Sequence, residues 1–274
     1  MRSFAIYICL LCVTLSSCQP SVPKTEKPDC LLLPSGEQPK QGWPAVLLLH
    51  DHGARYDKGW RKVIGNETEP WYNGMSIGDS LAAAGYVVYC ADALYWGSRR
   101  SPLTQREFSD SLGGAGEWYK RVLADDKAGI DYLCSLPYVD STRIAVAGFS
   151  YGGYRAWNLT AEDPRIKTCI AAHWMTTLAQ NRHNDSWLSM YRGDSSSRRL
   201  RPQREFYEIA KTIAPRAFLL QYGTRDHLFP INAVNTCLMH LSTDSSFHAE
   251  PYDCDHEMTY RHLQDWLLFL QDNL

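Results

Sequence analysis

Three polar stretches of this sequence carry residues able to act together on one reaction: GFSYGG with Ser150, GTRDHLFP with Asp226 and DCDHEM with His256. A serine hydroxyl is a poor nucleophile at neutral pH, so it needs an exposed position and a neighbouring base to take its proton. In GFSYGG, Gly148 and Gly152 permit a sharp turn with close packing, and Ser150 projects from its apex. The competing reading is an ordinary strand-to-helix turn with an incidental serine. Asp226 follows LLQYG, with Gly223 as the exit turn, where an acid can orient a histidine; the alternative is a turn or cap aspartate. The preceding strand exit, AAHWMTT, offers no carboxylate before Asp185. Among His240, His248, His256 and His262, only His256 sits in a polar loop between the last strand-like and last helix-like segments. The other three fall inside helical or strand patterns and read as structural or solvent-facing. Asp253 and Asp255 flank His256 too closely in sequence to be assigned as its orienter.

A fourth stretch, His50-Asp51-His52-Gly53, ends the apolar run PAVLLL. Two histidines one residue apart face the same side of a strand, but no third ligand appears at a recognisable spacing. Metal binding is therefore a weak reading, and no cofactor is implied.

The elements that must place these residues are legible as alternating strand and helix patterns. Continuous apolar runs at 44–49, 86–90, 143–147, 166–172 and 217–222 read as strands covered on both faces, with a weaker one at 247–251. Helical patterns lie at 75–84, 119–136, 151–161, 232–241 and 258–270; in the second, Leu123, Ala128, Ile130 and Leu133 form an apolar face, with Asp125, Asp126 and Lys127 available to water. Such alternation predicts βαβ units and a mainly parallel sheet, with ligands at the carboxyl ends of the strands. All four chemical stretches lie at strand exits.

With these pieces, LLLHDHGAR, YCADALYWGSR, RIAVAGFSYGG, LLQYGTRDHLFP and DCDHEM, the chain from about Pro44 onward resembles the α/β-hydrolase superfamily, in particular its dienelactone hydrolase and acetylxylan esterase-like branches. The resemblance implies an α/β class, three-layer α/β-hydrolase fold and a serine-dependent carboxylic ester hydrolase working through an acyl-enzyme. Ser150, Asp226 and His256 would be nucleophile, acid and base in that order along the chain. One oxyanion donor would be the backbone N–H of Tyr151. The other, by resemblance, is the N–H of His52, although Asp51 stands where the superfamily usually has glycine, so the role can slip to Gly53 or Ala54. Each such donor is worth roughly 3–4 kcal/mol when removed. A long polar stretch at 174–204 sits where the superfamily often inserts a lid. Its Trp174 and Trp187, with Trp96 from another strand exit, are candidates for substrate contact, against the plainer reading of ordinary packing. The small-molecule or oligosaccharide ester so implied has two rivals. One is a prolyl oligopeptidase-like serine peptidase, disfavoured because no propeller-sized domain precedes the body; the other is a catalytically inactive glycan-binding lipoprotein.

The N-terminal MRSFAIYICLLCVTLSSC has a basic residue, an apolar run and small residues before Cys18, the pattern of a secretory signal at 1–17. LSSC resembles a lipobox, which would leave Cys18 lipidated, residues 18–29 as a tether, and residues 30–274 as one domain outside the cytoplasm, held to a membrane only by that anchor. A net charge of −2 without a basic stripe argues against nucleic acid as a partner. Cysteines after residue 18 lack CxxC spacing. Cys90, Cys134 and Cys169 read as buried thiols, whereas Cys237 and Cys254 flank one strand-like segment and could pair in an oxidising compartment.

Overall fold

A computed structural model describes residues 30–180 and 204–274. The signal, tether, Cys18 and Trp187 lie outside the described residues, as does most of the 174–204 insertion. Seven strands form one sheet: β1 (Leu31–Leu32), β2 (Trp43–Leu49), β3 (Val87–Tyr89), β4 (Val139–Phe149), β5 (Ile166–Ala172), β6 (Ala217–Gly223) and β7 (Phe247–Tyr252). Their order across the sheet is β1-β3-β2-β4-β5-β6-β7; only β1 is antiparallel to its neighbour. The helices are α1 (Ile77–Ala83), α2 (Gln105–Ser111), α3 (Ala115–Ser135), α4 (Tyr151–Glu162), α5 (Phe206–Ala210), α6 (Ile231–Leu241) and α7 (Tyr260–Asn273).

The unbroken apolar run of β2 follows from burial on both faces. Ala45, Leu47 and Leu49 pack with Ile130 and Leu133 of α3 and Trp157 and Leu159 of α4. Val46 and Leu48, pointing the other way, pack with Ile77 and Leu81 of α1 and Leu263, Trp266 and Leu270 of α7. Each of the Val, Leu and Ile side chains among them stabilises the fold by about 1.5–3 kcal/mol through removal from water. Helix α3 departs from its predicted wet face: Asp126 is buried, and both its oxygens accept from Arg155, at 3.0 Å from Nε and closer from Nη2. The partner comes from α4, so periodicity along α3 alone could not reveal it. Cys237 and Cys254 are both buried free thiols, not a disulfide.

Adjacent strands fix which loops meet. Leu49 of β2 lies beside Gly148 of β4, and Phe149 of β4 beside Ala172 of β5. The exits of β2, β4, β5 and β6 therefore open side by side along one edge of the sheet.

Candidate active site

Ser150 caps α4 in a left-handed backbone conformation, φ 55° and ψ −120°, a region that non-glycine residues rarely enter. Its N–H donates to Ala172 O of the neighbouring strand at 2.8 Å, which holds the turn. The turn needs glycine at Gly152, where a Cβ would stand 1.8 Å from Leu49 O, and at Gly148, where one would stand 2.3 Å from the Gly152 carbonyl carbon. These two positions let the start of α4 press against the ends of β2 and β4.

The Ser150 hydroxyl lies 2.8 Å from His256 Nε2, and His256 Nδ1 lies 2.8 Å from Asp226 Oδ2. An ionised carboxylate only accepts, so His256 carries its proton on Nδ1 and presents an unprotonated Nε2 to the hydroxyl. Phe149 and Phe229 flank the imidazole with ring centroids at 4.9 and 5.6 Å. Asp226 Oδ1 accepts from the N–H groups of Leu228 and Phe229 at 2.9 and 3.1 Å, which fixes the carboxylate plane. Burial by itself would raise the Asp226 carboxyl, but donation from His173 and His256 outweighs it and holds the group well below the ordinary carboxylate range. Asp255 is not an orienter of the ring; its Oδ1 accepts from His256 N, His227 N and His227 Nδ1 at 2.7, 3.0 and 2.6 Å, stapling the acid loop to the base loop.

The loop after β2 is wired from behind. Buried His50 accepts the Ala93 N–H on Nε2 at 3.0 Å, so Nδ1 carries the proton and donates to Asp51 O at 2.8 Å. With both ring nitrogens engaged, His50 has no lone pair for a metal. Lys62, fully buried, donates to Asp51 O at 3.0 Å and His52 O at 2.7 Å, and its ammonium stands 3.7 Å from Asp51 Oδ2. Tyr72 donates to the other Asp51 oxygen at 2.8 Å. The residue that breaks the superfamily pattern is thus the counter-ion of a buried lysine. In a trans peptide, C=O and N–H point in opposite directions. The Asp51 carbonyl is turned to Lys62, so the His52 N–H is turned away from it. Burial pulls the Lys62 ammonium below its usual range despite Asp51 and Glu69. Burial, then the Lys62 charge, lowers His52 to about 4, which keeps its ring neutral at neutral pH.

Two tryptophans named from sequence do not offer faces to a substrate. Trp96 is buried and donates from Nε1 to His52 O at 3.0 Å, and Trp174 is buried among Tyr154, Trp157, Phe206 and Phe229. Apolar bulk at a strand exit went into packing the loops. What sequence reasoning passed over is His173, in the same AAHWMTT that was searched for a carboxylate. It is fully buried, and its Nδ1 lies 2.8 Å from Asp226 Oδ2, the oxygen that also receives His256. His262, expected as structural or solvent-facing, is buried too, with Nε2 3.0 Å from His173 Nε2.

This geometry supports attack by an activated hydroxyl. Bacillus subtilis YtaP is 31% identical over 201 residues, a stretch that makes up 70% of this chain and 63% of that protein. Among solved structures, Porphyromonas gingivalis dipeptidyl peptidase 4 superposes with a TM-score of 0.62 at 21% identity, over 89% of this chain but 33% of its own. Acetyl xylan esterase from Paenibacillus sp. R4 superposes with a TM-score of 0.60 at 19% identity, covering 89% of this chain and 78% of that one. At these identities the two structures share the fold alone. Residues 37–249 match the dienelactone hydrolase family, and the chain belongs to that family of α/β hydrolases.

Proposed function

We propose that this hydrolase is a serine carboxylesterase that removes acyl groups from carbohydrate esters outside the cytoplasm. The observation that carries the reading is the unbroken hydrogen-bonded line from Ser150 through His256 to Asp226 at adjacent strand exits. His256 Nε2 takes the serine proton as Oγ attacks the ester carbonyl, and Asp226 stabilises the imidazolium that forms. The N–H groups of Tyr151, in the first turn of α4, and of His52 hold the oxyanion. The alcohol leaves with the proton from His256, and water then hydrolyses the acyl-enzyme by the same route in reverse. The fold shared with an acetyl xylan esterase favours sugar acetates as substrates, and LSSC favours a lipid-anchored location at Cys18. A peptidase reading draws only on the fold shared with a dipeptidyl peptidase of which this chain spans a third. An inactive glycan-binding protein would not require the ordered triad.

The test is reaction of the soluble body, residues 19–274, with a fluorophosphonate probe and with p-nitrophenyl acetate, followed by acetylated xylo-oligosaccharides and feruloylated or methyl-esterified ones. Ser150→Ala must abolish probe labelling; equal labelling of that variant sinks the proposal. Metabolic labelling with palmitate, lost in Cys18→Ser, tests the anchor.

A further inference from the structure

We infer that His173, held by His262, is a positioning residue of the catalytic acid: it donates a second imidazole hydrogen bond to Asp226 and thereby limits how strongly that carboxylate stabilises protonated His256. The inference rests on the serine-esterase reading above and concerns the side of Asp226 that faces away from solvent.

The direction of the hydrogen bonds is set at one end by a group that cannot reverse. His262 stands at the third position of α7, where its side chain closes a capping box: Nδ1 accepts the backbone N–H of the cap residue Thr259 at 3.0 Å and lies 2.7 Å from the Thr259 hydroxyl, which can rotate to donate, whereas the N–H cannot turn into an acceptor. A nitrogen that accepts a backbone N–H carries no proton, so neutral His262 has its proton on Nε2. That proton points at His173 Nε2, 3.0 Å away, which must then be an acceptor. His173 in turn has its proton on Nδ1 and gives it to Asp226 Oδ2 at 2.8 Å. Every donor in the line, from Thr259 to Asp226, therefore has an acceptor. Both rings are kept neutral: burial lowers His173, and burial, followed by the repulsion that two protonated rings at this distance would feel, lowers His262 to about 2. Tyr252 stacks on His262 at 3.5 Å between centroids, and Gln221 donates to the His262 carbonyl at 3.2 Å, so the second imidazole has little freedom.

The backbone gives independent support. Among the described residues only five non-glycine positions have positive φ, and His173 is one of them, at 55°, as is Ser150. Strain of this kind costs of order 1–3 kcal/mol and persists where surrounding contacts over-determine it. The His173 N–H is tied to Gln221 O at 2.7 Å, an arrangement that aims the ring at Asp226.

His173, His262 and Cys254 also bring two nitrogens and a thiol close together, with Cys254 Sγ 4.0 Å from His173 Nε2, which raises the question of a metal. Ligation through His262 Nε2 would need the proton on Nδ1, and although Thr259 Oγ1 could accept it, that proton would oppose the Thr259 N–H, which would then lose its acceptor. The capping box selects the tautomer that cannot ligate.

Removing the His173 donor leaves Oδ2 with His256 as its one imidazole partner, so the imidazolium is better stabilised. The acidic limb of the kcat/KM profile should then move up by about one pH unit in His173→Leu, with KM unchanged. His173→Asn, whose amide nitrogen stands where Nδ1 stood, should return the limb to its wild-type position. Identical midpoints in wild type, His173→Leu and His173→Asn would overturn the inference, whatever the loss of folded protein. Nitrogen-15 NMR of histidine-labelled wild-type protein reads the pair without any variant. Protonated Nδ1 on His173 and protonated Nε2 on His262 are expected, and the reverse tautomer on His262 refutes the relay. If the wild type neither labels with fluorophosphonate nor cleaves esters, the esterase reading fails and the catalytic role falls with it, while the tautomers still answer for the pair itself.

Discussion

Lys62→Met is the substitution whose consequences separate charge balance from loop orientation. The lysine is fully buried and its ammonium stands 3.7 Å from Asp51 Oδ2, an attraction of about 4 kcal/mol at an effective dielectric constant near 20. Removing one member of a buried pair leaves the other charge uncompensated, a loss of roughly 3–5 kcal/mol, which agrees with that figure. Against a total stability of about 5–15 kcal/mol the single variant should fold poorly. Lys62→Met with Asp51→Asn removes both charges, keeps the Tyr72 contact to residue 51, and should recover most of the urea midpoint. Activity should not follow, because the Asp51 and His52 carbonyls each lose the ammonium donor that they share and that ties the two together. With His50 Nδ1 still on the Asp51 carbonyl and Trp96 Nε1 still on the His52 carbonyl, the expected loss in kcat lies near the low end of an oxyanion-donor deletion, about hundredfold. Folded fraction comes from circular dichroism and urea titration, active-site content from fluorophosphonate labelling, and kcat from p-nitrophenyl acetate. A double variant with wild-type stability and wild-type kcat would mean that Lys62 serves only as a counter-ion, and the orientation argument would be wrong.

Stability should fall on acidification below about pH 6.5. His52 and His262 keep lowered values, about 4 and about 2, when folded, so the unfolded chain binds more protons in this window and each contributes a slope near 1.4 kcal/mol per pH unit. That stability is fully present above the unfolded value of 6.5 and is lost toward each folded value; a urea midpoint equal at pH 7.5 and pH 5 would contradict it. Gly152→Ala puts a methyl group 1.8 Å from Leu49 O and should destroy either the fold or probe labelling at Ser150, so a fully active Gly152→Ala protein would disprove the close approach. Asp255→Asn should lower kcat about tenfold by loosening the staple between the acid and base loops while leaving the melting temperature nearly unchanged, since the contact is exposed. A matching drop in melting temperature would assign it to stability instead.

The strands could be read from sequence where both faces are covered, because β2, β4, β5 and β6 then appear as short continuous apolar runs. β1, with two residues, and α5, with five, are too short to show a period, and α2 went unread although Thr104 and Glu107 form a capping box at its start. Ser150 was legible because its turn demands glycine at fixed offsets, and Asp226 and His256 because strand exits are countable. His173 was not: an imidazole within AAHWM has the pattern of a core position, and its partners lie 53 and 89 residues away on other elements. A search of strand exits for any donor to the predicted acid, not only for a rival carboxylate, would have found it. The departure at Asp51 was visible, but its meaning depended on Lys62, brought under the loop by the turn Gly59–Lys62, whose Trp60 N–H is anchored on Asp92 at 2.9 Å.

The strain in this site lies where the sheet can hold it. Ser150 and His173 follow adjacent strands, and both take positive φ. Each is fixed by its own N–H to a carbonyl of the next strand along, Ser150 to Ala172 of β5 and His173 to Gln221 of β6. An unfavourable backbone conformation that is hydrogen-bonded to a seven-stranded sheet cannot relax without breaking the edge of that sheet. Ser150 and His173 are thus set by strands inside the sheet, while the loops of Asp226 and His256 are tied to each other by Asp255.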